Sequence, residues 1–323
     1  MNMDEQPLLK IKKHTSLHKR FPEILAVPNL AKQKASWLLY GRHITELDVY
    51  KIGDSAGQDL DIVAAWKVGS YDALLIGNEL TDEYAAAVIN QKLDFSRTSD
   101  LPDLLEPGLI VMDMDSTAIQ IECIDEIAVL AGVGEQVAEV TERAMQGELD
   151  FEQSLRQRVG ALKGSDESIL ETVRSTLPMM SELRELVATL HGYGWKVAIA
   201  SGGFTYFSDY LKDELHLVHA QSNTLEIVDG KLTGKVLGDV VDAQAKADIL
   251  YELADEYDIE PHNTVAVGDG ANDLVMMAAA GLGIAYHAKP KVEADAPVAI
   301  RHADLGGVLC ILSASLMPQN VSW

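Results

Sequence analysis

Short apolar runs recur along the second half of this chain, and each stops at a polar cluster. Residues 109–112 read Leu-Ile-Val-Met and are followed at once by Asp113. Residues 196–200 end at Ser201-Gly202-Gly203, and residues 264–267 end at Gly268-Asp269-Gly270. Residues 283–286 form a fourth run. Helical periodicity lies between them, at 181–191, 204–215 and 243–255. Strands alternating with helices predict an α/β fold, a doubly wound parallel sheet with helices on both faces. In such sheets a ligand sits outside the carboxyl ends of the strands, where these polar clusters fall. Two segments interrupt the alternation. A long helical insertion spans about 118–178, and residues 225–236 read as two alternating runs around Asp229-Gly230, a dipeptide that favours a tight hairpin.

The first hundred residues pattern differently. Residues 37–40, 60–66 and 73–76 predict short strands, and 82–93 an Ala-rich helix with Thr81 as its N-cap. This predicts a small α+β domain over 1–100. Residues 96–108 read SRTSDLPDLLEPG, polar with two prolines. Proline fixes its own backbone and restricts its predecessor, so this stretch reads as a linker. The second domain is expected over 108–323.

Charge narrows the function. Lys and Arg total 26 against 50 Asp and Glu, a net charge of −24. That balance argues against wrapping nucleic acid or lying on an anionic membrane, since both need a concentrated positive field. An anionic small substrate responds to the field of its own site and stays open. Cys123 and Cys310 show neither metal-ligand spacing nor a disulfide framework, which fits a reducing compartment. No run of 18 apolar residues occurs, and no apolar stretch follows the basic cluster Lys10 to Arg20, so neither a membrane span nor a secretory signal is expected. The expected location is cytoplasmic.

Four clusters carry candidate chemistry. Asp113 and Asp115 stand two apart after a strand, so both carboxylates can face one pocket; a plain strand-end turn would look the same. Ser201-Gly202-Gly203 would let backbone approach a ligand closely, or would be an ordinary strand-to-helix loop. Lys246 is a point charge suited to phosphate, although most lysines are merely solvated. Asp269, Asn272 and Asp273 offer hard oxygen ligands that suit Mg²⁺, and Asn272 or Asp273 could equally cap a helix.

Taken together and in this order, the four clusters resemble those of the haloacid-dehalogenase-like superfamily of phosphotransferases, and within it the phosphoserine phosphatases. The shared motifs cover about residues 108–290. Asp113-Met114-Asp115-Ser116-Thr117 is similar to the first motif of those phosphatases, and the likeness continues through Glu122, the stretch from Thr141 to Gly147, Phe151 and Arg158. The resemblance implies a helical cap and hydrolysis of phosphoserine with Mg²⁺, the last step of serine biosynthesis. It implies Asp113 as nucleophile and Asp115 as general acid and base. Mg²⁺ would be held by Asp113, Asp269 and the backbone carbonyl of Asp115. Ser201, Gly202, Lys246 and Asn272 would hold the phosphate, with Asp273 orienting Lys246 or metal-bound water. Glu122 would pair with the substrate ammonium and Arg158 with its carboxylate, while Met145 and Phe151 form an apolar wall. Phe151, Leu155, Arg158, Val159 and Leu162 share one helical stripe, so Arg158 beside an apolar face could instead be a snorkelling side chain.

Other readings remain open at this point. They are another small-molecule phosphatase of the same superfamily, a phosphotransferase from phosphoserine to homoserine, and a ligand-sensing protein with a relic core. A dehalogenase would leave Asp115 without an acid role. Some bacterial phosphoserine phosphatases carry an ACT-like regulatory domain where the small α+β unit falls, and a packing or homodimerisation unit fits equally.

Overall fold

The computed structural model describes residues 8–22, 24, 35–316 and 321–322. Of the domain expected over 1–100, positions 1–7, 23 and 25–34 lie outside the described residues. Among the described residues, twelve strands form two sheets. They are β1 (Ile11–Lys12), β2 (Trp37–Arg42), β3 (Ile62–Val68), β4 (Tyr71–Ile76), β5 (Asp94–Arg97), β6 (Leu109–Met112), β7 (Lys196–Phe204), β8 (His219–Val228), β9 (Lys231–Leu237), β10 (Thr264–Gly268), β11 (Leu282–Tyr286) and β12 (Val298–Ile300).

The larger sheet runs β12-β11-β10-β6-β7-β8-β9. All its pairings are parallel except β8 with β9. Its strands β6, β10 and β11 are buried at every position because both faces are covered there. Ile110, Met112, Val197, Ile199, Val265 and Val267 point into one core, and Leu109, Val111, Ala198, Ala200 and Ala266 into another under the helix Ala243–Glu256. This is the doubly wound arrangement that the alternation predicts. The β8–β9 hairpin turns through Asp229 (φ 50°) and Gly230 (φ 73°), the positive angles that such a turn demands. The expected insertion is helical: Cys123–Leu130, Gly134–Met145, Phe151–Ala161 and Ser168–Ser175 form a cap over the carboxyl ends of the strands. Its two stems lie side by side, joined by Gln120 N to Pro178 O and Met180 N to Ala118 O.

The smaller sheet runs β1-β3-β4-β2-β5 and is antiparallel throughout. With the helices Glu46–Ala56 and Asp82–Asn90 it follows a β-α-β-β-α-β order, the split arrangement of ferredoxin-like units. Two sequence expectations shift here. Ser96 and Arg97, read as linker, end β5, because pairing with Leu38 and Trp37 of β2 satisfies their backbone. The helix Glu46–Ala56 carries too thin an apolar stripe to announce itself, with only Ile52 and Gly53 buried, and is fixed instead by a capping box between Thr45 and Asp48.

The two units share a core. One face of the small sheet packs Trp37, Leu39, Leu74 and Ile76 under its own helices. The other face, with Leu38, Tyr40, Trp66 and Leu75, packs on the helix Gly306–Ser313 near the end of the chain, every residue of which is buried. Trp66 Nε1 donates to Ser313 Oγ at 2.8 Å. The Asp94 carboxylate accepts from three successive backbone amides, Arg301 at 2.8 Å, His302 at 3.0 Å and Ala303 at 2.7 Å. Among the described residues no helix is long and apolar enough to cross a membrane.

Candidate active site

Asp113 leaves the end of β6, tied to the neighbouring strand by its N–H to Val267 O at 2.9 Å. The chain then turns sharply through Ser116, held at a left-handed φ of 56°. This turn sends its side chains three ways. Asp113 and Asp115 face one cavity. Ser116 Oγ donates to Glu122 Oε1 at 2.7 Å, and Thr117 Oγ1 donates to Asp269 Oδ1 at 3.1 Å.

The helix Ala243–Glu256, capped by Asp242, delivers Lys246 beneath the floor of the cavity. Lys246 is fully buried, with Nζ 2.8 Å from Asp113 Oδ2 and 2.7 Å from Asp273 Oδ1. Asp273 Oδ2 accepts from Gly270 N at 3.0 Å. Gly268 leaves room for this arrangement: a Cβ there would lie 2.3 Å from Asp273 Cγ. The glycines around Asp269 thus serve close approach rather than capping alone. Ser201, Gly202 and Gly203 are not a free loop but continue β7, and the helix begins one residue later than expected, at Thr205.

The cavity measures about 220 Å³. Asp113, Asp115, Ser201, Gly202, Asp269 and Asn272 line its core side. Glu122, Ile124, Phe151, Leu155 and Arg158 line its cap side. The Phe151 ring sits against Gly202, where a Cβ would come 2.5 Å from Phe151 Cζ. Lys246 and Asp273 lie behind the lining. Met145, expected in the apolar wall, is 66% exposed at the end of its helix, where the chain turns away at Gly147; Ile124 and Leu155 supply that wall. Ser116 and Thr117 were missed as contributors, because their contacts depend on a backbone turn that composition does not reveal.

Four carboxyl groups against one arginine make the cavity strongly acidic. Burial, then Glu122 and Asp113, push the Asp115 carboxyl well above the ordinary carboxylate range. Burial and the charges of Asp113 and Asp273 raise Asp269 to about 7. Burial likewise raises Glu122. Asp273 is raised by burial and Asp113, against the opposing pull of Lys246. Burial alone would lower Lys246, but Asp113 and Asp273 outweigh it and keep the ammonium charged. Burial lowers Arg158, whose Nε is buried without a hydrogen-bond partner. Asp113, Asp269 and Asp273 bring one carboxylate oxygen each within 4.8 Å of one another, a hard-oxygen set fitted to a divalent cation. Asp273 lies behind the lining with both oxygens engaged, by Lys246 and Gly270 N, whereas Asp113 and Asp269 line the cavity that an ion would enter.

A pair of carboxylates at a strand end, a buried lysine and three carboxylates able to hold a divalent cation thus meet at one cavity, the class of site a hydrolase acting by phosphoryl or related transfer would need. Residues 107–281 match the family described as haloacid dehalogenase-like hydrolase, and the chain belongs to that family. Residues 33–97 match a family described only as a domain of unknown function. The chain is 65% identical over 324 residues to the phosphoserine phosphatase of Vibrio cholerae serotype O1, a match covering 100% of this chain and 99% of that protein. It is 51% identical over 302 residues to the phosphoserine phosphatase of Haemophilus influenzae, covering 93% and 96%. The crystal structure of a probable phosphoserine phosphatase from Vibrio cholerae, unliganded, superposes with a TM-score of 0.90 at 64% identity, over 98% of each chain.

Proposed function

We propose that this chain hydrolyses O-phosphoserine to serine and inorganic phosphate. One observation carries the reading: a single cavity has two chemically different ends. The core end offers Asp113, Ser201 and, beneath them, Lys246 for a phosphoryl group. The cap end offers a carboxylate, Glu122, and an arginine whose Nε lacks a partner, the complements of an ammonium and a carboxylate.

Asp113 attacks phosphorus; the new O–P bond forms as the bond to the serine oxygen breaks, giving an aspartyl phosphate. Asp115, whose raised pKa keeps a proton available, donates it to the departing serine oxygen. Asp115 then takes a proton from the water that attacks the aspartyl phosphate, and phosphate leaves with Asp113 restored. The Ser201 hydroxyl, the Gly202 amide, Asn272 and Lys246 hold the phosphoryl oxygens, and Asp273 orients Lys246 through their 2.7 Å contact. Asp113, Asp269 and the Asp115 carbonyl would hold the cation, Mg²⁺, which when bound would supply positive charge to neutralise the phosphoryl oxygens. Phe151 packed on Gly202 closes the cap side against water.

Phosphate release from O-phosphoserine by the chelator-treated protein, with and without added Mg²⁺, tests this. The Asp113→Asn variant is expected to lose activity by at least about 10³-fold. Full activity in that variant removes Asp113 from the chemistry. Arg158→Ala is expected to raise KM for phosphoserine by about 10²-fold, since it removes a charge-assisted pair. Phosphoethanolamine, which has no carboxylate, should be nearly insensitive; an equal effect on both would take Arg158 out of the carboxylate site.

A further inference from the structure

We propose that Asn223, on β8, is a positioning residue that aims the Ser201 hydroxyl at the phosphate and ties it to the segment carrying Lys246. The inference rests on the phosphate-binding role of Ser201 and Lys246 given above. Asn223 is 1% exposed. Its Nδ2 donates to Gly202 O at 2.8 Å, and its Oδ1 accepts from Val241 N at 2.9 Å.

The pairing of β7 with β8 explains why a side chain is needed there. Ala200 pairs with Gln221 and Phe204 with Asn223, so four steps on β7 span two on β8. The extra residues bulge out of the ladder and strand the Gly202 carbonyl in the interior, where an unpaired acceptor is costly. The Asn223 amide replaces the missing ladder bond. Gly202 O and Gly203 N belong to one planar peptide, so fixing the oxygen fixes the N–H. That N–H donates to Ser201 Oγ at 3.0 Å. With one lone pair so occupied, the Ser201 hydroxyl keeps its single proton for another acceptor, and Ser201 lines the cavity. The other arm of Asn223 grips Val241, the residue before the Asp242 cap of the helix that bears Lys246. One buried amide therefore sets the spacing between two phosphate-holding elements.

A double-mutant cycle tests this. Asn223→Asp keeps the acceptor for Val241 N but sets a carboxylate against Gly202 O. Ser201→Ala removes the hydroxyl. The readouts are kcat/KM for phosphoserine and the affinity for inorganic phosphate by calorimetry in the presence of Mg²⁺. Asn223→Asp alone is expected to weaken both by about tenfold, and by less than about twofold once Ser201 is alanine. Independent, multiplicative losses overturn the proposal, as does an unchanged phosphate affinity in folded Asn223→Asp protein. Should that variant not fold, the same cycle is run with Asn223→Ser and read by the same criteria. A wild type that binds phosphate but does not hydrolyse phosphoserine would refute the substrate reading and leave the calorimetric cycle to decide on Asn223.

Discussion

At the scale of single residues, Asp269 is where a proton and a cation compete. Its folded-state value of about 7 lies above the ordinary carboxylate value of about 3.9. Between these limits the folded, metal-free protein holds a proton that the unfolded chain has lost. Its contribution to stability is therefore full below about pH 4 and disappears as pH rises through about 7. A divalent cation replaces that proton. Saturating Mg²⁺ should raise the melting temperature more at pH 8 than at pH 5, and thermal melts at the two pH values check this; equal shifts would remove Asp269 from the metal site. Asp113, Asp115 and Asp269 were legible in sequence because each sits at or near a strand end whose apolar run is visible, whereas Lys246, within the helix Ala243–Glu256, stood out only in company with them. The bonds from Ser116 to Glu122 and from Thr117 to Asp269 were not, since they follow from a left-handed residue in a five-residue turn. Met145 lies exposed at a helix end rather than in the cavity lining for a related reason. Periodicity gives the stripe of a helix but not where the chain leaves it.

At the scale of elements, the cap meets the core through a ring on a glycine. Gly202→Ala places a methyl within 2.5 Å of Phe151 Cζ. The ring end is rigid and must move, displacing the helix Phe151–Ala161 that also carries Arg158. Displacement of about 1 Å can cost about 10²-fold in rate, so kcat/KM should fall by that order. Phe151→Leu in the same chain should recover part of it, and steady-state kinetics of the single and double variants decide. The core strands and cap were legible because fully apolar runs and long helical periods are strong signals. The helix Glu46–Ala56 and strands β5 and β12 are short or thinly apolar, and tertiary pairing rather than local pattern fixes them.

At the scale of the whole molecule, residues of the small sheet and of the helix Gly306–Ser313 pack in one core. Asp94 receives three backbone amides from residues 301–303, and Asp94→Ala leaves all three without this partner, that of Ala303 in the interior. Each such group costs roughly 1–3 kcal/mol, so a loss of about 3 kcal/mol is expected in urea unfolding, without loss of cavity residues. Calorimetry should show one cooperative transition rather than two; two separable transitions would contradict a shared core. That shared core also bears on how the chain is made. Residues 306–313, which cover one face of the first sheet, are synthesised only after the whole of the larger sheet. Trp66, Tyr40 and Leu75 must therefore wait on the ribosome with their apolar face open, and in that interval the nascent chain is a natural client for a holding chaperone.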